Sequence, residues 1–399
     1  MTITSNILHT LNSKHSPDAD RYARIVLSVA AEPGDTTLGR LIAVHGAPGA
    51  LRLLADDTTT ATGVNTEELN QLRRRTPVTL TSTMVAGVLR TLENLNINVL
   101  TPSDAEWPHG LADLGARAPF VLFTRGNQKL LASPSVVAII GARAATTYGT
   151  HVAAELTADL VKDGQVILAS GSYGIDAEAH RAALAAGGAT IAVLAGGLDR
   201  PYPVGHAGLF DRIIQHNGVI LTETPPTLPP TRWRFLRRTH LIAALADRIV
   251  IVEAGARSGS LHVAAHATSL RRPVGAVPGP ITSAASTGCH ELLRSGRAVP
   301  VTNAHDVHAL QPARALSSPG SGDFPSLDSV DVLIADWDDD PALTAEHLGI
   351  LRELPEREVQ DILTGNARSV EREFLALLDG VRAATTRQLL YRHGIDLDA

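Results

Sequence analysis

The sequence predicts an α/β protein: a doubly wound, mostly parallel sheet, with a helical N-terminal domain and a small helical C-terminal domain. Three observations predict it. Between Ser135 and Val301, short apolar runs alternate with windows of helical spacing. The first run, Val136–Ile140, is apolar throughout and rich in β-branched side chains, as a strand covered on both faces must be. The connections are short, which in such an alternation gives parallel, right-handed crossovers.

The elements follow in order. Residues 1–20 are expected to be disordered. Residues 21–100 form the helical domain, with apolar spacing near 3.6 over 22–30, Leu38–Val44, Ala50–Leu54 and Met84–Leu95. Two strand-like pieces, INVLTP and APFVLFTRG, lie between 97 and 131 around a turn carrying Trp107 and Pro108, and lead into the sheet domain, 101–310. Its strands are expected at Val136–Ile140, Val166–Ala169, Thr190–Leu194, Val219–Leu221, Arg248–Val252 and Val274–Val277. Its helices are expected at Gly149–Lys162, Ala177–Ala186, His206–His216, Phe235–Ala246 and Gly259–Leu270. Residues 311–330 are rich in Pro, Ser and Gly and read as a linker. Residues 331–399 read as an acidic helical domain, with room for a winged helix.

The 399 residues have ordinary globular composition, 44% apolar and 19% charged. No apolar run has transmembrane length, the N-terminus lacks a signal-peptide pattern, and a lone cysteine, Cys289, excludes a disulfide framework. A cytoplasmic protein with an unreactive thiol is the expectation. The net charge of −6 is unevenly spread: residues 321–399 hold 17 acids against 7 arginines, net −10, and the rest holds 24 acids against 28 bases, net +4. The bases are arginines except for Lys14, Lys129 and Lys162.

In an open α/β sheet, ligands bind beyond the carboxyl ends of the strands. The first strand ends in Gly141-Ala-Arg143-Ala-Ala-Thr146-Thr147 and the second in Ser170-Gly171-Ser172-Tyr173-Gly174-Ile-Asp176. The third leads to Gly196-Gly197-Leu-Asp199-Arg200 and the fifth to Glu253-Ala-Gly255-Ala-Arg257-Ser258-Gly259-Ser260. Small residues there admit a ligand backbone, and helix N-termini attract anions, so these turns predict one anion-binding rim. Arg143 grips phosphate on this reading; a salt bridge to Asp176 or Glu253 is the alternative. Asp176 is expected to cap its helix, with His180 one turn on. The dinucleotide fingerprint, the P-loop and the nucleophile elbow are all missing. His262 and His266 stand four apart without further ligands, so neither metal nor cofactor is expected. Residues 232–240, RWRFLRRTH, hold four arginines, two aromatics and no acid, a composition suited to single-stranded nucleic acid, with burial of Trp233 and Phe235 in the core as the alternative for the aromatics.

The motifs GARAATTYG (141–149), SGSYGIDAEAH (170–180), GGATIAVLAGGLDRPYP (187–203), EAGARSGS (253–260), VPGP (277–280) and STGCHELL (286–293) resemble, in order and spacing, the DNA-processing protein A family (DprA, also called Smf). The resemblance implies a Rossmann-like domain that binds single-stranded DNA as a homodimer, protects incoming strands, helps load a RecA-type recombinase during transformation, and is not an enzyme. It implies DNA-binding roles for Gly141, Arg143, Ser170, Gly171, Gly174, Asp176, His180, Arg238, Ser258 and Gly259, and a dimer face within about 210–300; Thr146 is expected in the same site, and Arg200, Arg234 and Arg237 are expected to replace the charge lost where the chain departs from the family. The chain departs from the family pattern at Val204, where relatives carry lysine, and at Thr239 and His240, where they carry Asn and Arg. Another class, the lonely-guy-type phosphoribohydrolases and nucleotide-binding proteins, shares the architecture, but its Pro-Gly-Gly-x-Gly-Thr-x-x-Glu motif is absent.

Overall fold

The computed structural model describes residues 17–56, 58–76 and 82–311, which fall within one compact unit. The expected linker and acidic domain, beyond residue 311, lie outside the described residues, as do residues 1–16 of the expected disordered segment. Residues 17–20 of that segment are not disordered: they open helix α1, Pro17–Ala30.

Three further helices complete the N-terminal region: α2 (Thr36–Ala55), α3 (Thr66–Arg75) and α4 (Ser82–Asn94). The two windows expected across α2 are one element bent at its middle. Gly46 leaves the helical conformation at φ 69°, and Pro48, which has no N–H to donate, follows within the same bend. Helix α3 is highly polar, which hid it from a search for apolar spacing. It is started by a capping box in which Asn65 and Glu68 satisfy each other's backbone N–H groups.

Nine strands form one sheet: β1 (Asn98–Leu100), β2 (Leu122–Gly126), β3 (Val136–Ile140), β4 (Val166–Ser170), β5 (Thr190–Val193), β6 (Val219–Thr222), β7 (Arg248–Ile251), β8 (Val274–Ala276) and β9 (Val299–Pro300). Their spatial order is β1-β2-β6-β5-β4-β3-β7-β8-β9. From β6 to β9 all pairings are parallel, whereas β2 pairs antiparallel with both β1 and β6. The crossovers carry α5 (Thr147–Lys162), α6 (Ile175–Ala185), α7 (Ala207–Gln215), α8 (Arg232–Leu245), α9 (Ser260–Ser269) and α10 (Thr287–Arg294); α11 (Ala304–Ala309) follows β9. Each of the six strands expected from the sequence is present within one residue of its bounds, and the architecture is the Rossmann-like one.

The chain runs outward from β3 through β4 and β5 to β6, then returns to lay β7 on the other side of β3. The switch point is therefore at the carboxyl end of β3, where Arg143 leaves the sheet. Val137, Ala138 and Ile139 in β3 are fully buried, as are Ile249, Val250 and Ile251 in β7. The helical region meets the sheet through a separate cluster, in which Ile25 of α1 and Val88 and Leu92 of α4 pack with Phe123, Leu194 and Phe210. Cys289 is buried, and burial pushes its thiol up to about 12, so it stays protonated.

Candidate functional site

Two buried carboxylates organise the rim above the switch point. Asp176 does not cap its helix. The cap position is Gly174, with φ 76°, and Asp176 lies inside α6. Its carboxylate instead accepts the Gly141 N–H at 3.1 Å, the Ser170 N–H at 3.0 Å and the Ser170 hydroxyl, tying the end of β3 to the end of β4. Burial raises its pKa, while Ser170 and the Arg238 guanidinium pull the other way. Glu253, just beyond β7, does the same for α5. It accepts the Thr146 N–H at 2.9 Å and the Thr146 hydroxyl at 2.6 Å, and Thr146 Oγ1 in turn accepts the Gly149 N–H.

The N-terminus of α5, where an anion was expected, is thus already occupied by a carboxylate of the protein itself. The glycines have a similar internal cause. A side chain at Gly149 would collide with the Glu253 carboxylate, one at Gly171 with Leu194 and Phe210, and one at Gly174 with the carbonyls of Ala142 and Arg143. These turns are small because loops and carboxylates pack there. The turn after β7 differs: Gly259 has open space around it and Gly255 meets only the Ala284 carbonyl, at 3.7 Å.

His180 is fully buried beneath the rim. Its Nε2 lies 3.0 Å from the Ser170 carbonyl and its Nδ1 2.8 Å from the Thr190 hydroxyl, and burial lowers its pKa to about 4, so the ring is neutral. Ser170, Gly171, Asp176 and His180 hold the loops in shape from within.

What faces outward is cationic and aromatic. Arg143 is exposed; its guanidinium lies over the Phe235 ring, 5.1 Å from the centroid, and no described residue gives it an ion pair. The salt bridge considered for it does not form, because Asp176 and Glu253 are committed to backbone and hydroxyl groups. Arg238 reaches the same ring at 5.1 Å and donates to Ser172 Oγ at 3.2 Å. Burial lowers its pKa to about 10, with Asp176 opposing, so it remains charged at neutral pH. Tyr202 meets Phe235 in a T-shaped contact at 5.8 Å, and Tyr173, beside Ser172, meets His206 at 4.3 Å. Arg200 is exposed in the turn after β5, and Ser258 in the turn after β7 bonds to Ser260 Oγ at 2.7 Å.

Two arginines of the 232–240 segment turn elsewhere. Arg234 is buried and pairs with Glu32 through two bonds of 3.0 and 2.6 Å, and also donates to the Pro229 carbonyl. Arg237 stacks on Trp233 at 4.3 Å and acts electrostatically on Glu223 and His240. Tyr173, Tyr202 and Phe235 are the rim residues that sequence reasoning failed to assign. A signal existed for the tyrosines: each sits in a turn, between Ser172 and Gly174 or between two prolines, where no periodic face buries it. Among the described residues no cluster of His, Cys, Asp and Glu has the arrangement of a metal site, and no helix is long and apolar enough to cross a membrane.

Comparison with known proteins finds that residues 98–311 match the family model described as DNA recombination-mediator protein A. The chain is 47% identical over 249 residues to a putative DNA processing protein DprA of Mycobacterium tuberculosis, a match covering 60% of this chain and 64% of that one. It is 33% identical to the DNA processing protein DprA of Bacillus subtilis, over 57% of this chain and 75% of that one. The fold is similar to that of DNA processing protein A from Streptococcus pneumoniae, with a TM-score of 0.54 and 28% identity, covering 77% of this chain and 98% of that one.

Proposed function

The chain belongs to the DNA recombination-mediator protein A family, and from that membership and the rim we propose that it is a single-stranded-DNA-binding protein without catalytic activity of its own. The match spans 64% of the mycobacterial relative's length. One observation carries the reading: at the switch point an exposed guanidinium without a carboxylate partner among the described residues, Arg143, lies over an aromatic ring. Phosphate neutralisation beside ring surfaces is the chemistry that binds single strands without sequence preference. Arg143 and Arg200 would meet phosphates directly, the latter from the turn after β5, two strands from β3. Arg238, buried under the same ring, adds fixed positive charge. Arg234 has no part in this, because Glu32 occupies it. Thr146, Gly141 and Gly174 shape the loops, and Ser258 and Gly259 extend the rim on the β7 side.

The proposal extends to the family's wider role. The protein would act in the cytoplasm as a homodimer, protect incoming single strands, and help load a RecA-type recombinase onto them in transformation and recombination. The phosphoribohydrolase reading is disfavoured by Glu253, whose carboxylate stands at the helix N-terminus that a nucleotide phosphate would need. The test is binding of labelled single- and double-stranded oligonucleotides at two salt concentrations. Preference for the single strand, with affinity falling as salt rises, is expected; equal binding of both forms, or release of free base from a nucleoside monophosphate, overturns the reading.

A further inference from the structure

The rim presents two aromatic rings that the fold leaves uncovered. Tyr173 is 49% exposed and Tyr202 46% exposed. A large ring normally buries most of its surface and finds a partner for its hydroxyl. Tyr148, at the start of α5, donates its hydroxyl to the Pro278 carbonyl at 2.7 Å. Neither Tyr173 nor Tyr202 has such a bond to any described residue. Both rings are nevertheless held. Tyr173 packs at 61° against His206, whose Nδ1 lies 2.9 Å from the Gly171 carbonyl, and Tyr202 packs at 70° against Phe235. These are T-shaped contacts, so no parallel ring covers either tyrosine.

Phe235 differs. The guanidinium groups of Arg143 and Arg238 both lie over it, so cations already use that ring. The neighbourhood of both tyrosines is cationic: Arg238 bonds to Ser172 beside Tyr173, and Arg143 shares the Phe235 ring with Tyr202.

We propose that Tyr173 and Tyr202 are the base-stacking surfaces of the rim, each taking the face of one unpaired nucleobase while Arg143 holds phosphate. The inference rests on the single-strand reading above and deepens it. Every base offers a π face, so stacking tolerates any sequence. In a duplex those faces are covered by neighbouring base pairs, so the tyrosines, rather than the arginines, make the rim choose single strands. Because the rings are already held in place, little side-chain entropy is lost when a base arrives.

The test uses the full-length protein and two labelled probes of equal length, an oligothymidylate and an abasic strand with the same phosphodiester backbone. Wild-type protein is expected to bind the oligothymidylate at least tenfold more tightly than the abasic strand. Tyr173→Leu and Tyr202→Leu should each weaken oligothymidylate binding by roughly fivefold to a hundredfold and leave abasic binding unchanged. Tyr→Phe at either position should keep the wild-type preference. Equal wild-type binding of both probes overturns the stacking inference while sparing the DNA-binding reading, and it depends on no variant folding. Leucine variants that retain full affinity, or that lose it equally on both probes, overturn it as well. If wild-type protein binds neither probe, the single-strand reading itself falls and the inference falls with it.

Discussion

Arg143 and Arg234 show how differently one residue type is used in this chain. Arg143 is exposed above an aromatic ring and has no carboxylate partner among the described residues, whereas Arg234 is buried against Glu32. Arg143→Ala should therefore weaken single-strand binding by about 1.5–3 kcal/mol, the range for a charged hydrogen bond. It should also make the salt slope of log affinity shallower by about 0.7 for each phosphate no longer neutralised. The melting temperature should not move, and Arg143→Lys should restore only part of the affinity, since an ammonium lacks the bidentate fork. Arg234→Ala should do the reverse: about 1.5–3 kcal/mol of stability lost in denaturant titration, with affinity retained in the folded protein. Glu223 sets a pH dependence. Burial raises its pKa to about 8, opposed by Arg237 and reinforced by Glu32, and its Oε1 lies 3.7 Å from the neutral, buried His240. The folded protein thus keeps a proton there that the unfolded chain has released, so this group's contribution makes stability fall as pH rises from about 4.5 to about 8. The decline is at most about 1.4 kcal/mol per pH unit for one proton. Glu223→Gln should flatten the melting curve over that window; an unchanged slope refutes the assignment.

At the scale of elements, the switch point is held by carboxylates that belong to one element and serve another. Glu253 follows β7 and holds Thr146, the N-cap of α5; Asp176 sits in α6 and joins the ends of β3 and β4. An acid at a helix N-terminus is favoured by the dipole, and here it also satisfies an amide and a hydroxyl. Glu253→Gln should cost about 1–3 kcal/mol of stability, because its amide group can no longer accept both bonds and a buried donor is left unpaired. Chemical denaturation measures that loss, and hydrogen exchange should show it first at the amides of Thr146 and Gly149. This arrangement also corrects the sequence-level meaning of the glycines. Gly171 and Gly174 were expected to admit a ligand, but they face Leu194 and Phe210 and a neighbouring loop.

At the scale of the whole molecule, charge is the property that the sequence already separates. Residues 321–399 carry net −10 and the remainder net +4. Removing the acidic segment should leave DNA affinity unchanged or raise it, most clearly at low salt where screening is weakest. A large loss in a folded truncated protein contradicts this. Light scattering at tens of micromolar should find the proposed dimer. The sequence by itself determined the strand sequence and the parallel sheet, because a buried parallel strand must be an unbroken apolar run and six such runs stand at short spacing. It also marked the glycine-rich turns at the strand ends and singled out Arg143 by position, though it took those glycines as room for a ligand. It could not assign Arg234, whose partner lies 202 positions away, nor separate the carboxylates that fill the anion sites from acids that cap their own helices. It left Phe235 undecided and did not single out Tyr173 or Tyr202. Those outcomes depend on which loops meet once the sheet has closed, and residue type at one position carries no record of a neighbour brought in from a distant strand. Only the tertiary structure decided that the anion sites at the switch point are filled from within and that the outward face of the rim is arginine and aromatic.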